Sequence, residues 1–299
     1  MICKDRVVII TGAGRGIGRA HALAFGLAGA KVVVNDIGTS GRGEGSDGAP
    51  AEQVVAAIEE AGGQAVASYH DVADWQQAEQ LIKTAIKHFG GLDVVVNNAG
   101  ILRDRMFVSA TPDEWDAVMH VHLRGHFCVA RHAAAYWRAE AKAGRMPDAR
   151  IINTSSGAGL QGSIGQAAYS AAKGGIAALT LVQAAEMARY GITANAIAPI
   201  ARTRMTEELF ADMMNKPDEG FDIFAPHNVS PLVVWLGSQQ SKEVTGRVFE
   251  VAGGKISIAD GWRPGPEIDK KATWDPEEIG EVVTQLITEA QAPAKVYGT

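Results

Sequence analysis

Apolar residues along the chain form short continuous runs that alternate with longer stretches of helical spacing. The runs are rich in valine, isoleucine and alanine, and they predict buried strands over residues 7–11, 31–35, 64–69, 93–96, 151–154, 192–198 and 248–251. The longer stretches predict helices over residues 19–28, 51–61, 75–89, 113–143, 169–190 and 229–238. Strands that alternate with helices are typical of an α/β fold built on a parallel sheet.

Three segments depart from this alternation. Residues 37–50 form a long loop rich in glycine, serine and aspartate, which we interpret as a mobile surface insertion. Residues 200–224 are polar and methionine-rich, and we interpret them as a lid at the carboxyl edge of the sheet. After residue 254 the chain is irregular up to a helix that begins near Pro276. We therefore divide the chain into a main domain, 1–254, and a C-terminal extension, 255–299, packed on that domain or on a partner subunit.

The charge and the cysteines exclude several classes of protein. A net charge of −6 without a basic run argues against a nucleic-acid partner. Cys3 and Cys128 are far apart and lack metal-ligand spacing, which fits a reducing compartment. No apolar run is long enough to cross a membrane, and the first predicted strand begins almost at once. We expect a cytoplasmic protein with neither a membrane nor a nucleic-acid partner.

A glycine-rich turn follows the first predicted strand. Gly12, Gly16 and Gly18 lie between that strand and the first helix, where backbone N–H groups can receive a pyrophosphate. Their GxxxGxG spacing matches the general dinucleotide fingerprint only loosely. The alternative is a turn that serves only the tight packing of the strand against the helix.

An acidic residue at the end of the second predicted strand bears on the choice of cofactor. Asp36 can accept hydrogen bonds from ribose hydroxyls, and its carboxylate would repel a 2′-phosphate. Arg15, in the glycine turn, argues the other way, because a guanidinium there could bind such a phosphate or could simply be solvated. We give Asp36 the greater weight and predict NAD as the cofactor.

The next two strands end in further polar residues. Asp71 could accept a hydrogen bond from an adenine amino group, or it could be the N-cap of the following helix. The fourth strand runs into Asn97–Gly100, where the glycine lets the backbone approach a ligand and the asparagine side chains can fix the loop.

The stretch from Arg150 to Lys173 carries the candidate catalytic residues. Tyr169 and Lys173 lie four residues apart on one helical face, and Ser156 ends the preceding strand. A phenol has a free pKa of about 10, and a nearby ammonium lowers that pKa. The three residues therefore suit proton transfer in a carbonyl/alcohol couple. The alternative is a helix with an incidental tyrosine and lysine.

Two histidines lie one turn apart on the long helix predicted over 113–143. His122 and His126 have a spacing that could hold a metal ion, but a third ligand is missing, so we predict no metal site. One or both of them could face the active site or the core.

These motifs together resemble the short-chain dehydrogenase/reductase family over about residues 5–254. The resemblance implies a doubly wound parallel sheet, or Rossmann fold, of about seven strands. It implies Tyr169 as the general acid/base, Ser156 as the donor to the substrate oxygen, and Lys173 as the group that binds the nicotinamide ribose and lowers the tyrosine pKa. It also implies cofactor contacts from Gly12, Arg15, Gly16, Ile17, Gly18, Asp36, Asp71, Val72, Asn98, Ala99, Gly100, Tyr169, Lys173, Pro199, Ile200 and Thr203.

The stretches VVVNDIG, NNAGILRDRMF and VHLRGHF resemble a narrower group, the (3R)-hydroxyacyl-CoA dehydrogenase parts of type 2 peroxisomal multifunctional enzymes and their bacterial relatives. This resemblance implies NAD-dependent oxidation of a 3-hydroxyacyl-CoA in fatty-acyl or sterol side-chain β-oxidation, by a homodimer or homotetramer. The alternative substrates are a 17β-hydroxysteroid and a ketoacyl carrier protein. Arg103, Arg105 and Arg124 could supply a basic patch for a carrier protein, or they could equally bind a CoA phosphate. A catalytically silent nucleotide-sensing protein is the alternative from another class.

The sequence departs from the pattern of the broader family at two places. His122 stands where most members have an asparagine that helps hold a water beside the catalytic lysine. Ile200 replaces the usual glycine after Pro199, and Thr203 comes one residue early, which bears on the contacts to the nicotinamide carboxamide. We therefore expect the proton relay to differ from that of the broader family.

Overall fold

The computed structural model describes residues 1–203, 214–259 and 261–297. Its single sheet has the strand order β3-β2-β1-β4-β5-β6-β7-β8. The strands are β1 Val7–Thr11, β2 Lys31–Asn35, β3 Gln64–Ser68, β4 Val94–Asn97, β5 Ala149–Thr154, β6 Ile192–Ile200, β7 Val248–Ala252 and β8 Lys255–Ala259. The α-helices are α1 Gly16–Leu27, α2 Ala49–Glu60, α3 Trp75–Phe89, α4 Pro112–Met119, α5 Gly125–Lys142, α6 Gly157–Gln161, α7 Ala167–Met187, α8 Ser230–Gly237 and α9 Ile279–Glu289.

Strands β1 to β7 run parallel and are covered by helices on both faces. Alternate residues of each strand enter two separate cores, as the period of two in a strand requires. On one face Val8 and Ile10 pack with Phe25 of α1, and on the other Ile9 packs with Trp137 of α5. This double coverage explains why the central strands are apolar at nearly every position.

Strand β1 pairs with β2 on one side and with β4 on the other, and β4 pairs in turn with β5, so the strand order reverses between β1 and β4. At such a switch point the connections leave β1 and β4 on opposite faces, and a crevice opens beyond the carboxyl ends of the strands. The polar residues predicted for the site follow these strand ends.

The structure corrects the sequence prediction at the end of the sheet. Among the described residues the sheet has eight strands rather than about seven, because Lys255–Ala259, predicted as irregular chain, pairs antiparallel with β7. The predicted division of the chain at residue 254 stays a prediction, but the segment after it begins within the sheet. Beyond it, α9 lies with Ile279, Val283 and Ile287 exposed.

The helix predicted over residues 113–143 is not regular throughout. Helices α4 and α5 are joined by one π-helical segment, His120–Arg124. Such segments insert one extra residue per turn and are frequent at functional sites. Within the described ranges no helix is both long and apolar enough to span a bilayer.

Burial of His21 predicts how the stability of the fold depends on pH. The His21 ring lies in α1 with Nδ1 3.0 Å from Ser230 Oγ, and burial lowers its pKa to about 3. The unfolded chain therefore binds a proton at this residue near pH 6.5 while the folded chain does not. As the pH falls from 7 to 5, this one residue should remove about 2 kcal/mol from the free energy of unfolding.

We expect His21→Gln to flatten that pH dependence by about this amount, measured by urea unfolding at the two pH values. The control is His88→Gln, since His88 is exposed at the end of α3. An equal loss of stability in wild type and His21→Gln would contradict the role of His21.

Candidate active site

The glycine turn between β1 and α1 has the backbone geometry of an anion-binding loop. Gly12 and Gly16 have φ of +62° and +53°, which L side chains rarely adopt. A Cβ on Gly18 would lie 2.1 Å from the carbonyl oxygen of Gly12. Gly18 is therefore required for the tight packing of the turn, which was the alternative role considered from the sequence. The same turn places the N-terminus of α1 at the crevice, where it can bind an anion.

Residues after β1 and β4 hold this turn in place. The Asn98 amide donates to the carbonyl oxygens of Thr11 at 2.9 Å and Gly12 at 3.1 Å. In return, Thr11 Oγ1 accepts from the backbone N–H groups of Asn98 and Ala99 at 2.9 and 3.0 Å. The prediction that an asparagine side chain fixes the loop is confirmed, whereas the contribution of Thr11 was not predicted.

The Asp36 carboxylate lies at the end of β2 beside the glycine turn. Its Oδ2 accepts from Gly14 N–H at 2.8 Å, and its Oδ1 accepts from Gly38 N–H at 2.7 Å. A Cβ on Gly14 would come within 2.8 Å of Oδ2, so this glycine is required for the approach. Both oxygens keep a second lone pair, which leaves the carboxylate able to accept from a ligand.

Asp71 does not cap the helix that follows it, which corrects one of the two predicted roles. The N-cap of α3 is Asp74, whose side chain accepts from Gln77 N–H. Asp71 Oδ1 instead accepts from Ala73 N–H at 2.8 Å, in a local turn that fixes its carboxylate at the cavity. The contact between Asp71 and an adenine amino group remains a prediction.

The loop after Asp36 reaches further than a surface insertion would. Gly41 accepts from Leu102 N–H at 3.0 Å, and Glu44 forms an ion pair with Arg103 at 3.3 Å. Gly43, at φ +83°, lies directly on Ile101. The loop therefore crosses the crevice, joins the segment after β4 and lines the cavity on the side of Asp36.

Helix α7 is bonded to the end of β5 by buried polar groups. Lys173 Nζ donates to the carbonyl oxygen of Thr154 at 2.7 Å, and Ser155 Oγ donates to the carbonyl oxygen of Lys173 at 2.8 Å. Asn153 donates to Thr180 and to Gln183 further along the helix. These bonds fix the position of the lysine along the helix.

The next turn of chain brings the serine to the tyrosine. Ser156 is the N-cap of α6, and its hydroxyl accepts from Ala158 N–H. A Cβ on Gly159 would lie 2.5 Å from the backbone carbon of Lys173, so α6 touches the backbone of α7. Ser156 and Tyr169 interact through their side chains in this arrangement, as the sequence predicted.

The predicted lowering of the tyrosine pKa is wrong for the free protein. Burial raises the pKa of Tyr169 to about 12, against the opposing effect of the hydrogen bond with Ser156. Burial also lowers the pKa of Lys173 to about 7, and its amine lies 5.5 Å from the centre of the tyrosine ring. The sequence shows the pair, but it does not show that the folded chain buries Lys173 and leaves Tyr169 only partly exposed.

His122 lies between the loop after β4 and Tyr169. Its Nε2 is 2.7 Å from the carbonyl oxygen of Ile101, and its ring meets Tyr169 edge-on at 5.2 Å. Burial lowers the pKa of His122 well below its ordinary value, so the ring is neutral at pH 7. His126 accepts from Thr154 N–H and is buried as well. One histidine thus lies at the site and the other in the core.

The three arginines that could form a basic patch are placed differently. Only Arg103 lines the cavity. Arg105 is paired with Glu114, and Arg124 donates to the carbonyl oxygen of Ala73 at 2.9 Å. The patch expected for a carrier protein is therefore not assembled from these three residues.

Part of the predicted lid lies outside the described residues, namely 204–213. On its two sides, Arg202 N–H donates to the carbonyl oxygen of Phe224 at 2.7 Å, and the Arg202 guanidinium pairs with Asp222. Pro199, Ile200 and Met214 line the cavity from this side. The closing function of the segment stays a prediction.

All these parts surround one cavity of about 470 Å³. Every residue that the sequence predicted for the site lines it: Gly12, Arg15, Gly16, Ile17, Gly18, Asp36, Asp71, Val72, Asn98, Ala99, Gly100, Ser156, Tyr169, Lys173, Pro199, Ile200 and Thr203. Sequence reasoning missed Arg42, Gln166 and Tyr297, which line it too. Gln166 sits three residues before Tyr169 and could have been found, whereas Tyr297 has no local signal.

A doubly wound sheet with a glycine turn at its switch point, and a Ser–Tyr–Lys set in the same cavity, define an oxidoreductase that uses a nicotinamide nucleotide. The chain belongs to the short chain dehydrogenase family, whose profile matches residues 6–214. This confirms the family that the motifs resembled.

Similar proteins agree with this assignment. A short chain dehydrogenase from Mycobacterium avium, of known crystal structure, is 59% identical with a TM-score of 0.91, and the match covers 100% of both chains. Hydroxyacyl-CoA dehydrogenase ChsB1 of Mycobacterium tuberculosis is 43% identical over 92% of this chain and 86% of that protein. Peroxisomal multifunctional enzyme type 2 of Mus musculus is 45% identical over 84% of this chain, which spans 32% of that enzyme.

The glycine turn yields a direct prediction for cofactor binding. Gly18→Ala places a methyl group against the Gly12 carbonyl and 2.6 Å from the Asn98 amide, so the turn must open. We expect cofactor affinity to fall at least about tenfold, equivalent to about 1.4 kcal/mol, measured by calorimetry. Gly254→Ala is the control, because nothing lies within 4 Å of that site. A folded Gly18→Ala protein with wild-type affinity would contradict the assignment.

Proposed function

We propose that this protein oxidises the secondary alcohol of a 3-hydroxyacyl-CoA to a ketone with NAD as acceptor, in fatty-acyl or sterol side-chain β-oxidation. The observation that carries the proposal is a single cavity with the glycine turn at one end and Ser156, Tyr169 and Lys173 at the other. The lining runs from the glycine turn to the tyrosine along the carboxyl ends of the strands, which is where a dinucleotide lies in a doubly wound fold.

The residues present fit a nicotinamide nucleotide. The turn from Gly12 to Gly18 offers backbone N–H groups for a pyrophosphate, and the Asp36 carboxylate offers oxygen acceptors for ribose hydroxyls. A carboxylate at that place favours NAD over NADP. Arg15 and Arg42 also line the cavity, but Arg15 has Asp47 3.9 Å away, which offsets its charge.

Ser156, Tyr169 and Lys173 have separate roles in the transfer of the substrate proton. The bound nicotinamide supplies hydride transfer. Ser156 and Tyr169 would hold the substrate oxygen by hydrogen bonds, and the deprotonated oxygen of Tyr169 would accept the hydroxyl proton and become a neutral phenol. Lys173 changes its charge near pH 7, so its amine sets the electrostatic field on that phenol in the pH range of the reaction.

An acyl-CoA or steroid substrate suits the surface beside the cavity. Met106, Phe107, Val108 and Ile164 are exposed, and the segment that carries the first three is bonded to the loop that carries the last through Arg105 N–H and the Gly165 carbonyl. Such a rim can cover a long apolar chain. The similarity to a hydroxyacyl-CoA dehydrogenase supports the acyl-CoA, and 38% identity to a 3-oxoacyl-[acyl-carrier-protein] reductase of Synechocystis keeps the carrier protein as an alternative.

The proton-transfer role of Tyr169 has a specific test. Tyr169→Phe removes the hydroxyl and keeps the ring, so turnover should fall by about 10²–10⁴ while NAD affinity is unchanged. Ser156→Ala should lower turnover by a smaller factor. Tyr190→Phe is the matched control, since that ring packs at the far end of α7. Wild-type turnover in Tyr169→Phe would exclude the role.

The choice of cofactor depends on the charge of Asp36. Asp36→Asn keeps the shape but removes the repulsion of a 2′-phosphate, so the ratio of kcat/KM for NAD over NADP should fall about tenfold. Asp113→Asn makes the same charge change at an exposed residue of α4, outside the cavity lining, and should leave the ratio unchanged. An unchanged ratio in Asp36→Asn would show that another group sets the preference.

The substrate class is tested by reduction of NAD with 3-hydroxyacyl-CoA thioesters of several lengths, sterol-derived ones included, beside a 17β-hydroxysteroid and a hydroxyacyl carrier protein. Oxidation of the steroid or the carrier protein alone would replace the proposed substrate. Binding of NAD without turnover of any alcohol would favour the nucleotide-sensing alternative. The homodimer or homotetramer and the cytoplasmic location stay predictions.

A further inference from the structure

The end of the described chain returns to the substrate side of the cavity. Tyr297 N–H donates to the carbonyl oxygen of Gly162 at 2.9 Å, in the loop between α6 and α7. Its ring lies on the backbone of Gly157, where a Cβ would be only 2.3 Å from the ring carbon Cε2. Gly157 directly follows Ser156, so the aromatic ring stands beside the serine that faces the substrate oxygen.

Tyr297 differs from the rest of the C-terminal segment. Helix α9 has no buried residue, and residues 291–296 are exposed, whereas Tyr297 is half-buried and lines the cavity. Burial and the nearby Glu250 carboxylate raise the pKa of its phenol, so the side chain is neutral at pH 7. The tail is thus anchored at the point where it meets the site.

The loop that receives the tail is also held from its other side. Gly165 accepts from Arg105 N–H at 2.8 Å, and Gln166 donates to Asp104 Oδ2 at 2.7 Å. Tyr297 also lies near enough to Tyr169 to affect the pKa of that phenol. The tail, the loop and the segment after β4 therefore form one continuous wall around the substrate half of the cavity.

We propose that Tyr297 is a specificity-determining residue whose ring closes the substrate pocket beside Ser156 and limits the size of the group carried next to the reacting carbon. This proposal rests on the proposed function, because it takes the half of the cavity around Ser156 and Tyr169 to be the substrate half. The ring acts by excluding volume, since its bonded contact to the loop is through the backbone N–H.

The first test compares tail variants with short and bulky substrates. Tyr297→Ala should raise the ratio of kcat/KM for sterol-derived over short-chain substrates about tenfold, chiefly through KM. Tyr297→Phe keeps the ring and should preserve the wild-type ratio. Lys295→Ala changes an exposed residue of the same tail and should also preserve it. An unchanged ratio in Tyr297→Ala would overturn the proposal.

A second test uses the contact with Gly157. Gly157→Ala should displace the ring and shift the size preference in the same direction as Tyr297→Ala, since the added methyl group meets the ring. Once the ring is gone the methyl group has space, so the double variant should match Tyr297→Ala alone. Additive effects of the two substitutions would mean that the ring does not form this wall.

The two proposals fail in different ways. If wild type oxidises steroid alcohols but no thioester, the proposed substrate is wrong. The effect of Tyr297→Ala on size preference is then measured with a series of steroids of increasing size. If it oxidises neither, Tyr297 is judged by calorimetric binding of the same compounds to the NAD-loaded protein. A size preference that Tyr297→Ala removes supports the pocket wall, and equal binding to wild type and variant overturns it.

Discussion

The site depends on a buried lysine that is held by the end of a strand. Lys173 is 2% exposed, and its amine donates to the Thr154 carbonyl, while Ser155 bonds back to the carbonyl of the lysine itself. Removing an ammonium from water is costly unless hydrogen bonds replace the lost hydration. These hydrogen bonds fix α7 against β5. They thereby also fix the position of Tyr169 relative to Ser156 and to the cavity.

The remaining parts of the cavity are arranged around that fixed pair. The glycine turn and Asn98 are bonded to each other across β1 and β4, so hydrogen bonds hold this end of the cavity as they hold the end at Lys173. Between them the loop after Asp36 crosses the crevice, and the tail reaches the cavity at Tyr297, where its N–H donates to the carbonyl oxygen of Gly162. The ends of the strands form the rigid base of the cavity, and the connecting loops and the C-terminal tail form its walls.

The sequence predicted what is local and periodic, and missed what depends on burial or on distant contacts. Parallel strands and the Ser–Tyr–Lys set follow from spacing. Lys255–Ala259 was missed because its alternating pattern suits an exposed edge strand and is short. Asp71 and Asp74 are equally good caps by residue type, and only the geometry separates them. The sign of the Tyr169 pKa shift depends on how far the folded chain removes the phenol from water. The position of Tyr297 at the cavity depends on the path of the whole chain.

A titration of lysine side chains by NMR, with ¹³Cε-lysine in wild type and in Lys173→Met for assignment, measures the state of this amine in the folded protein. If Lys173 is desolvated and held by Thr154, its signal titrates near pH 7. A Lys173 signal that titrates at the pKa of a free lysine side chain, about 10.4, would show a hydrated amine and contradict this account of the site.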